Sequence, residues 1–139
     1  LKMLEKSGIF PDLFVHVEET FPFRTKELID GMIIRLLNDG HDSVVASKSE
    51  FSWIWKEKRK KYFHRLDEGD VPRKFKNKTL IGLQGLGCIT YPEILRKGKL
   101  IGKKIGLFET DHPLSSLEVR SEKSLKFSKN LLKSFRYKN

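Results

Sequence analysis

The alternation of apolar and polar positions in the first 47 residues predicts a strand, a helix and a second strand. The segment "PDLFVHVE" is a short, nearly continuous apolar run, which is typical of a strand buried on both faces. Thr25 can cap a helix, and apolar residues then recur at helical spacing as far as Gly40. The segment "DSVVAS" at 42–47 has the composition of a strand. This order predicts a βαβ unit within a parallel sheet.

The next segment, "FSWIWKEKRKKYFHRLDEGDVPRKF", places aromatic residues on both sides of a charged turn. Such a pattern predicts a two-stranded hairpin. A hairpin of this size cannot bury both of its own faces, so we expect it to pack on another surface, such as a second subunit. Residues 51–80 are called the arm below.

The remainder of the chain returns to short α/β elements. Three glycines, at 82, 85 and 87, surround the start of a strand, as at a bulge or a close backbone approach. "PEILRKG" predicts a short helix that ends at Gly98, "KKIGLFET" predicts a strand, and Ser121 can cap a final helix. We therefore expect one α/β domain over residues 1–139, with the arm inserted in it.

Composition narrows the possible partners and compartment. The 139 residues carry a net charge of +10, which suggests an anionic partner, although lysines spread over the whole chain are also typical of a solubilising surface. No apolar stretch approaches the roughly 20 residues of a membrane span, so no membrane partner is expected. The one cysteine, Cys88, cannot form an internal disulfide and is predicted to lie in the core. A cytoplasmic location is expected.

The first candidate site is the stretch "EETFPFRT", which follows the first predicted strand. Pro22 fixes the backbone there and leaves Thr20 and Arg24 facing the rim of the sheet, where open α/β sheets bind ligands. The planar guanidinium of arginine suits a carboxylate or a phosphate. Alternatively, Arg24 pairs with Glu19 or Glu27 and serves only the fold.

Two further candidate sites lie later in the chain. In "QGLGC", backbone N–H groups beside the glycines could hold an anion, and Gln84 could bind an amide or a hydroxyl. In "SSLEVRSE", Glu118 and Arg120 lie two residues apart, on the same side of an extended segment, directly before a helix. A salt bridge at the end of a strand is the alternative interpretation of that pair.

Taken in order, these motifs resemble the CMP-N-acetylneuraminate synthetase (acylneuraminate cytidylyltransferase) family, from about residue 10 to the C-terminus. "EETFPFRT" is similar to the family pattern Q-x-T-S-P-[LF]-R, and "GHDSVVAS" is similar to its G-A-D-S-V-V-S-V. The arm takes the place of the family's dimerisation arm. "GLGCITYPEIL" resembles the N-G-A-I-Y segment, and "SLEVRSEKSLKFS" resembles S-I-D-I-D-T-E-x-D-x-x-x-A.

The resemblance implies the C-terminal portion of a Rossmann-like nucleotidyltransferase fold. It would have a mostly parallel sheet, helices on both sides, a protruding hairpin for homodimerisation, and no N-terminal part. The family reaction joins CTP and an acidic nine-carbon sugar to give a CMP-sugar and pyrophosphate, with Mg²⁺ on the phosphates. The matched positions imply these substrate-binding residues: Glu18, Thr20, Arg24, Gln84, Gly85 and Arg120. They imply Glu118 as a metal ligand.

The sequence also departs from the family. The glycine-, arginine-, serine- and lysine-rich loop that begins the family's nucleotide site is absent. The two aspartates of D-x-D fall on Glu118 and Arg120, and arginine cannot bind Mg²⁺. We therefore expect no catalysis by this chain alone. A fragment of a longer enzyme, half of a split enzyme and a degenerate homologue remain open.

A different class of function is a basic nucleic-acid-binding module or a non-catalytic assembly module. The arm holds the residues that could stack on bases, Trp53, Trp55, Tyr62 and Phe63, beside the basic run Lys56–Lys61. Because the other lysines are spread over the chain, specific binding of nucleic acid is not expected.

Overall fold

A computed structural model describes residues 1–67 and 71–136, and these contain seven strands and four α-helices. The strands are β1 (Phe14–His16), β2 (Ser43–Glu50), β3 (Trp55–Arg59), β4 (Tyr62–Arg65), β5 (Thr79–Gly82), β6 (Cys88–Thr90) and β7 (Ile105–Glu109). The helices are α1 (Lys2–Lys6), α2 (Lys26–Asp39), α3 (Pro92–Arg96) and α4 (Glu122–Arg136), and a 3₁₀ turn covers Arg73–Phe75. The α/β class predicted from the sequence is confirmed.

Five strands form the main sheet around β2. On one side β2 pairs with β6 and β5, and on the other side with β7. β1 pairs with β6 at the edge of the sheet. β1, β2 and β7 run in one direction and β5 and β6 in the other, so the sheet is mixed and, among the described strands, only β2 and β7 pair in parallel. This pairing is more antiparallel than predicted, because the chain returns from the arm directly through β5 and β6 rather than through a crossover helix.

The strand–helix–strand unit is present with one difference. β1 and β2 point the same way, as predicted, but β6 lies between them. Cys88, Ile89 and Thr90 are all buried, as expected of an interior strand, whereas Val15 on β1 is exposed. β6 begins 72 residues after β1 ends, and it separates β1 from β2, the next strand in the sequence.

Helix α2 supplies three of the eight buried residues of the apolar core cluster among the described residues. It buries Leu28, Met32 and Leu36, four residues apart on one face, and these pack with apolar residues of the sheet and its loops. Both predicted ends are confirmed: Thr25 Oγ1 accepts a hydrogen bond from the N–H of Leu28 (3.3 Å), and Gly40 is left-handed with φ 62°.

The helices beside the sheet differ in length, and α2 and α4 are the long ones, with 14 and 15 residues. α2 packs broadly on β2, β6 and β7. The helices α1 and α3 have five residues each, which is too short to cover a sheet. Within residues 1–67 and 71–136, no helix has the length and apolar composition needed to span a membrane.

The arm contains the predicted hairpin, formed by β3 and β4, which turns at Lys60 and Lys61. Every residue of β3 is exposed. The hairpin is tied at its base, where the side chain of Asp67 accepts a hydrogen bond from the N–H of Ile54 (3.0 Å) and forms ion pairs with Arg65 and Lys76. Residues 68–70 of the predicted arm lie outside the described residues, and its last two residues belong to β5 in the main sheet.

Candidate functional site

An open cavity of about 350 Å³ lies beyond the carboxyl end of β1. It is lined by Glu18, Phe21, Gly82, Leu83, Gln84, Gly85, Glu118 and Arg120. Three segments that are far apart in sequence therefore meet here: the turn after β1, the loop between β5 and β6, and the extended segment before α4. Four of the six predicted substrate-binding residues line the cavity, together with the predicted metal ligand, whereas Thr20 and Arg24 do not.

The wall of the cavity depends on a close approach between Glu18 and Gly85. The N–H of Glu18 donates to the carbonyl of Gly85 (2.8 Å), which fixes the end of β1 against the loop. A Cβ at position 85 would lie 2.6 Å from Glu18 Cδ and 3.0 Å from Phe21 Cε2, so only glycine fits without movement of its neighbours. On the other side, His16 Nε2 lies 3.5 Å from Glu18 Oε1.

Arg24 binds three backbone carbonyls at the back of this wall. Its Nε donates to Leu86 O (2.6 Å), and its Nη2 donates to Glu18 O (2.6 Å) and Gly85 O (3.0 Å). Partial burial lowers the pKa of the Arg24 guanidinium from its ordinary value. The alternative ion pairs with Glu19 and Glu27 are not formed. The predicted contact between Arg24 and a ligand stays a prediction. Among the described hydrogen bonds of Arg24, Nε and Nη2 are used and Nη1 is not, so Nη1 is the nitrogen that could make that contact.

Thr20 connects the turn to the segment before α4. Its carbonyl accepts a hydrogen bond from the N–H of Val119 (2.8 Å), and its hydroxyl lies 3.4 Å from Glu18 Oε2. Nearby, the buried Ser115 hydroxyl donates to Phe23 O (3.2 Å). These contacts place the segment that carries Glu118 beside the cavity, so Thr20 positions the wall.

Glu118 and Arg120 form an ion pair, which was the alternative interpretation left open by the sequence. Arg120 Nη2 lies 2.6 Å from Glu118 Oε1, and this hydrogen bond raises the pKa of Arg120. The Arg120 side chain is 78% exposed, whereas that of Glu118 is only 24% exposed. The guanidinium therefore faces solvent at the mouth of the cavity.

Glu118 is the residue that the resemblance assigns to Mg²⁺, and in this structure it is paired with Arg120. Its carboxylate is engaged by a cation, and no group of three histidine, cysteine, aspartate or glutamate side chains comes together anywhere in residues 1–67 and 71–136. Mg²⁺ requires near-octahedral oxygen ligands. The magnesium site implied by the resemblance stays a prediction.

Sequence reasoning missed two contributors to this site. His16 was not assigned to it, although alternation along a strand places residues 16 and 18 on the same side. Phe21 was also missed, and it packs in the core at the floor of the cavity. The carbonyl contacts of Arg24 join residues more than 60 positions apart, so no local pattern could have indicated them.

The charges of the cavity decide what it can bind. Glu18 and Glu118 are acidic, and Arg120 is the only basic residue among those that line it. Carboxylates and the Gln84 amide oxygen accept hydrogen bonds from hydroxyl groups. The lining thus offers several hydrogen-bond acceptors to hydroxyl groups and one guanidinium, that of Arg120, to an anionic group.

Comparison with known proteins supports the fold. A scan against protein-family models and a search of curated proteins find no match. Among solved structures, the chain is similar to 4-diphosphocytidyl-2C-methyl-D-erythritol synthase from Anaerococcus prevotii, with a TM-score of 0.64 and 10% sequence identity. The similarity covers 95% of this chain and 64% of that one.

This similarity shows a cytidylyltransferase-like fold and nothing finer, since so low an identity carries no information on substrate. The Rossmann-like α/β fold that the sequence resemblance implies is supported. The narrower part of the resemblance, the CMP-N-acetylneuraminate synthetase family, is not.

Proposed function

We propose that the chain forms the acceptor side of a cytidylyltransferase-type site. In this proposal the 350 Å³ cavity holds the hydroxylated molecule that receives CMP from CTP. The observation that carries the proposal is the convergence of Glu18, Gln84, Gly85, Glu118 and Arg120 on one cavity beyond the carboxyl end of a strand. Open α/β sheets bind their ligands in this position.

Two classes of acceptor fit the proposal. The sequence resemblance implies an acidic nine-carbon sugar, whose carboxylate would contact the exposed guanidinium of Arg120. A neutral polyol is the second class, since attack of an alcohol hydroxyl on the α-phosphorus of CTP also gives a CMP ester and releases pyrophosphate. The two carboxylates of Glu18 and Glu118 favour the neutral class, because they repel an anion and accept hydroxyl hydrogen bonds.

Binding is the direct test, since the sequence contains no phosphate loop and residues 1–139 are not expected to turn over CTP by themselves. N-acetylneuraminic acid and 2C-methyl-D-erythritol would each be titrated into wild type, Gln84→Ala and Arg120→Gln, with binding followed by NMR. The Gln84→Ala change should weaken the binding of both ligands. Loss of Arg120 should weaken the acidic sugar and leave the polyol unchanged.

Arg35→Gln is the matched control, because Arg35 also forms a surface ion pair, with Asp39, and does not line the cavity. It should leave binding of both ligands unchanged. If neither ligand binds the wild type at millimolar concentration, or if all three variants bind alike, the cavity is not an acceptor site.

We also propose that the arm pairs with a second copy of the chain, as the resemblance implies. Residues directly opposite in an antiparallel pair share a face. Phe63 lies opposite Glu57, and Arg65 lies opposite Trp55, so Trp55 and Phe63 lie on one face of the hairpin. Both aromatic side chains are exposed, which leaves an apolar face that a partner could cover.

A cytoplasmic location remains part of the proposal, because the chain has a single cysteine and needs no disulfide.

A further inference from the structure

A second cavity, of about 260 Å³, lies at the opposite edge of the sheet from the acceptor site. It is lined by Asp42, Ile94, Lys97, Lys99, Gly102 and Lys103. The segment 97–104, called the lysine loop, contributes most of this lining. Asp42 directly precedes β2, and the lysine loop directly precedes β7, so the cavity lies at the amino ends of this parallel pair.

The backbone of the lysine loop is fixed to the sheet. Asp42 Oδ2 accepts hydrogen bonds from the N–H groups of Lys103 and Lys104, each at 3.0 Å. Ser43 Oγ accepts another from the N–H of Gly102 (2.9 Å). A Cβ at Gly102 would lie 2.3 Å from Asp42 Cβ, so the loop and the strand approach as closely as glycine allows. The lysines are therefore presented from a backbone with a defined shape.

Buried hydroxyl groups support this attachment from below. The hydroxyls of Ser43 and Thr90 lie 2.8 Å apart, and both residues are buried. Thr90 Oγ1 also donates to Asp42 O (3.2 Å). The loop is thus anchored by β2 and β6 together, in the interior of the sheet.

The second cavity gathers three lysine side chains around one carboxylate. Lys97, Lys99 and Lys103 are exposed, and within residues 1–67 and 71–136 none of them forms an ion pair. The only acidic residue in the lining is Asp42, whose carboxylate is already hydrogen-bonded to two backbone N–H groups. Three lysines against one aspartate leave a net positive lining, the reverse of the acceptor cavity, where two carboxylates face one arginine.

From this geometry we infer that the lysine loop binds a small ligand that carries a diphosphate group. Several ammonium groups around one hollow match the multiple negative charges of a diphosphate better than the charge of a carboxylate. Lysine binds phosphate through the charge of its ammonium group. It does not need the fixed bidentate geometry with which arginine binds phosphate. The inference stands independently of the proposed acceptor site, because it uses different residues at the other edge of the sheet.

Isothermal titration at low ionic strength tests the inference, since screening weakens contacts to exposed lysines. Inorganic pyrophosphate, CDP and CMP would be titrated into wild type and into a Lys97→Gln/Lys99→Gln/Lys103→Gln variant. The matched control, Lys56→Gln/Lys58→Gln/Lys60→Gln, removes the same charge from the arm. In parallel NMR titrations, shifts of the backbone amide signals of Gly98 and Gly102 would show where the ligand binds.

We expect pyrophosphate to bind the wild type and shift those amides, and the loop variant to bind about tenfold more weakly, as expected for three lost exposed contacts. The arm variant should bind as the wild type does. Binding of CDP as well would identify a nucleoside diphosphate, and binding of pyrophosphate alone would identify the free ion. Equal weakening in both variants, or no binding to the wild type, overturns the inference. If the triple variant fails to fold, Lys97→Gln and Lys99→Gln singly provide the same comparison.

Discussion

The guanidinium of Arg24 and the carbonyl of Leu86 are joined by a 2.6 Å hydrogen bond across 62 residues of sequence. The same guanidinium also holds the carbonyls of Glu18 and Gly85, so it fastens the end of β1 to the loop between β5 and β6. These contacts shape the 350 Å³ cavity, because the two segments that Arg24 joins form the cavity wall. Arg24 is a positioning residue in this structure.

The first prediction is that Arg24→Ala destabilises the fold. The change leaves three carbonyls without their charged donor, and one hydrogen bond to a charged group contributes about 1.5–3 kcal/mol. We expect a loss of roughly that size in the free energy of unfolding, measured by urea denaturation. Arg24→Lys should recover only part of it, because an ammonium cannot reproduce the fork that reaches both segments.

Arg35→Ala serves as the control for removal of an arginine. Its i,i+4 ion pair with Asp39 lies on the surface of α2, where such pairs contribute about 0.2–0.5 kcal/mol. If Arg24→Ala costs no more than Arg35→Ala, the carbonyl contacts do not hold the wall.

The parts of the fold that the sequence predicted are those set by neighbouring residues. Thr25, Gly40 and Ser121 act through hydrogen bonds or backbone angles within one turn of a helix, so their residue types suffice to place the helix ends. The hairpin of the arm is equally local, since its two strands are joined by a short charged turn.

The parts that were not predicted depend on contacts between distant segments. Nothing in the first 50 residues indicates that Cys88, Ile89 and Thr90 will separate β1 from β2. Five residues that the resemblance named, Glu18, Gln84, Gly85, Glu118 and Arg120, line one cavity, and their role in binding stays a prediction. Sequence reasoning assigned Arg24 to a ligand or a carboxylate, since backbone carbonyls have no sequence signature.

The second prediction concerns the contact between α2 and β7. A Cβ at Gly31 would lie 2.6 Å from Phe108 Cζ, so alanine there must displace the ring or the helix. Overpacking of this kind costs about 1–3 kcal/mol, which outweighs the gain of about 1 kcal/mol in helix propensity. Gly31→Ala should therefore lower the melting temperature.

A second substitution checks the cause of this loss. In a Phe108→Leu background the smaller side chain makes room for a methyl group, so Gly31→Ala should cost less than it does beside phenylalanine. Additive losses in the double variant would show that the clash with Phe108 is not responsible.

The third prediction concerns acid stability at the base of the arm. Hydrogen bonds from Arg65, and then from Lys76 and the N–H of Ile54, lower the pKa of Asp67 well below its usual range. Because the folded pKa is lower than the unfolded value of about 3.9, this carboxylate stabilises the arm fully above that pH. The stabilisation is lost progressively as the pH falls from there through the folded pKa.

Tryptophan fluorescence can follow this loss, since the ring of Trp53 packs against the Arg65 guanidinium at 5.4 Å. In the wild type we expect the fluorescence signal to change as the pH falls below about 4. Asp67→Asn should already show the altered signal at neutral pH and should remove that acid transition. Glu57→Gln, on the exposed strand β3, is the control for loss of a carboxylate and should retain it. If the acid transition persists in Asp67→Asn, a group other than Asp67 is responsible for it.

The last prediction is that the proposed pairing of two arms depends on one face of the hairpin. Trp55 and Phe63 lie on one face with Glu57 and Arg65, whereas Tyr62 and His64 lie on the other face with Lys56 and Arg59. Two copies that meet through the aromatic faces bury apolar surface and keep their lysines apart. Sedimentation at micromolar concentration should show a dimer for the wild type and a monomer for Trp55→Ser/Phe63→Ser. Tyr62→Ser, which removes an exposed aromatic ring from the basic face, should remain dimeric. A monomeric wild type would contradict the pairing, and dissociation by Tyr62→Ser alone would place the contact on the opposite face.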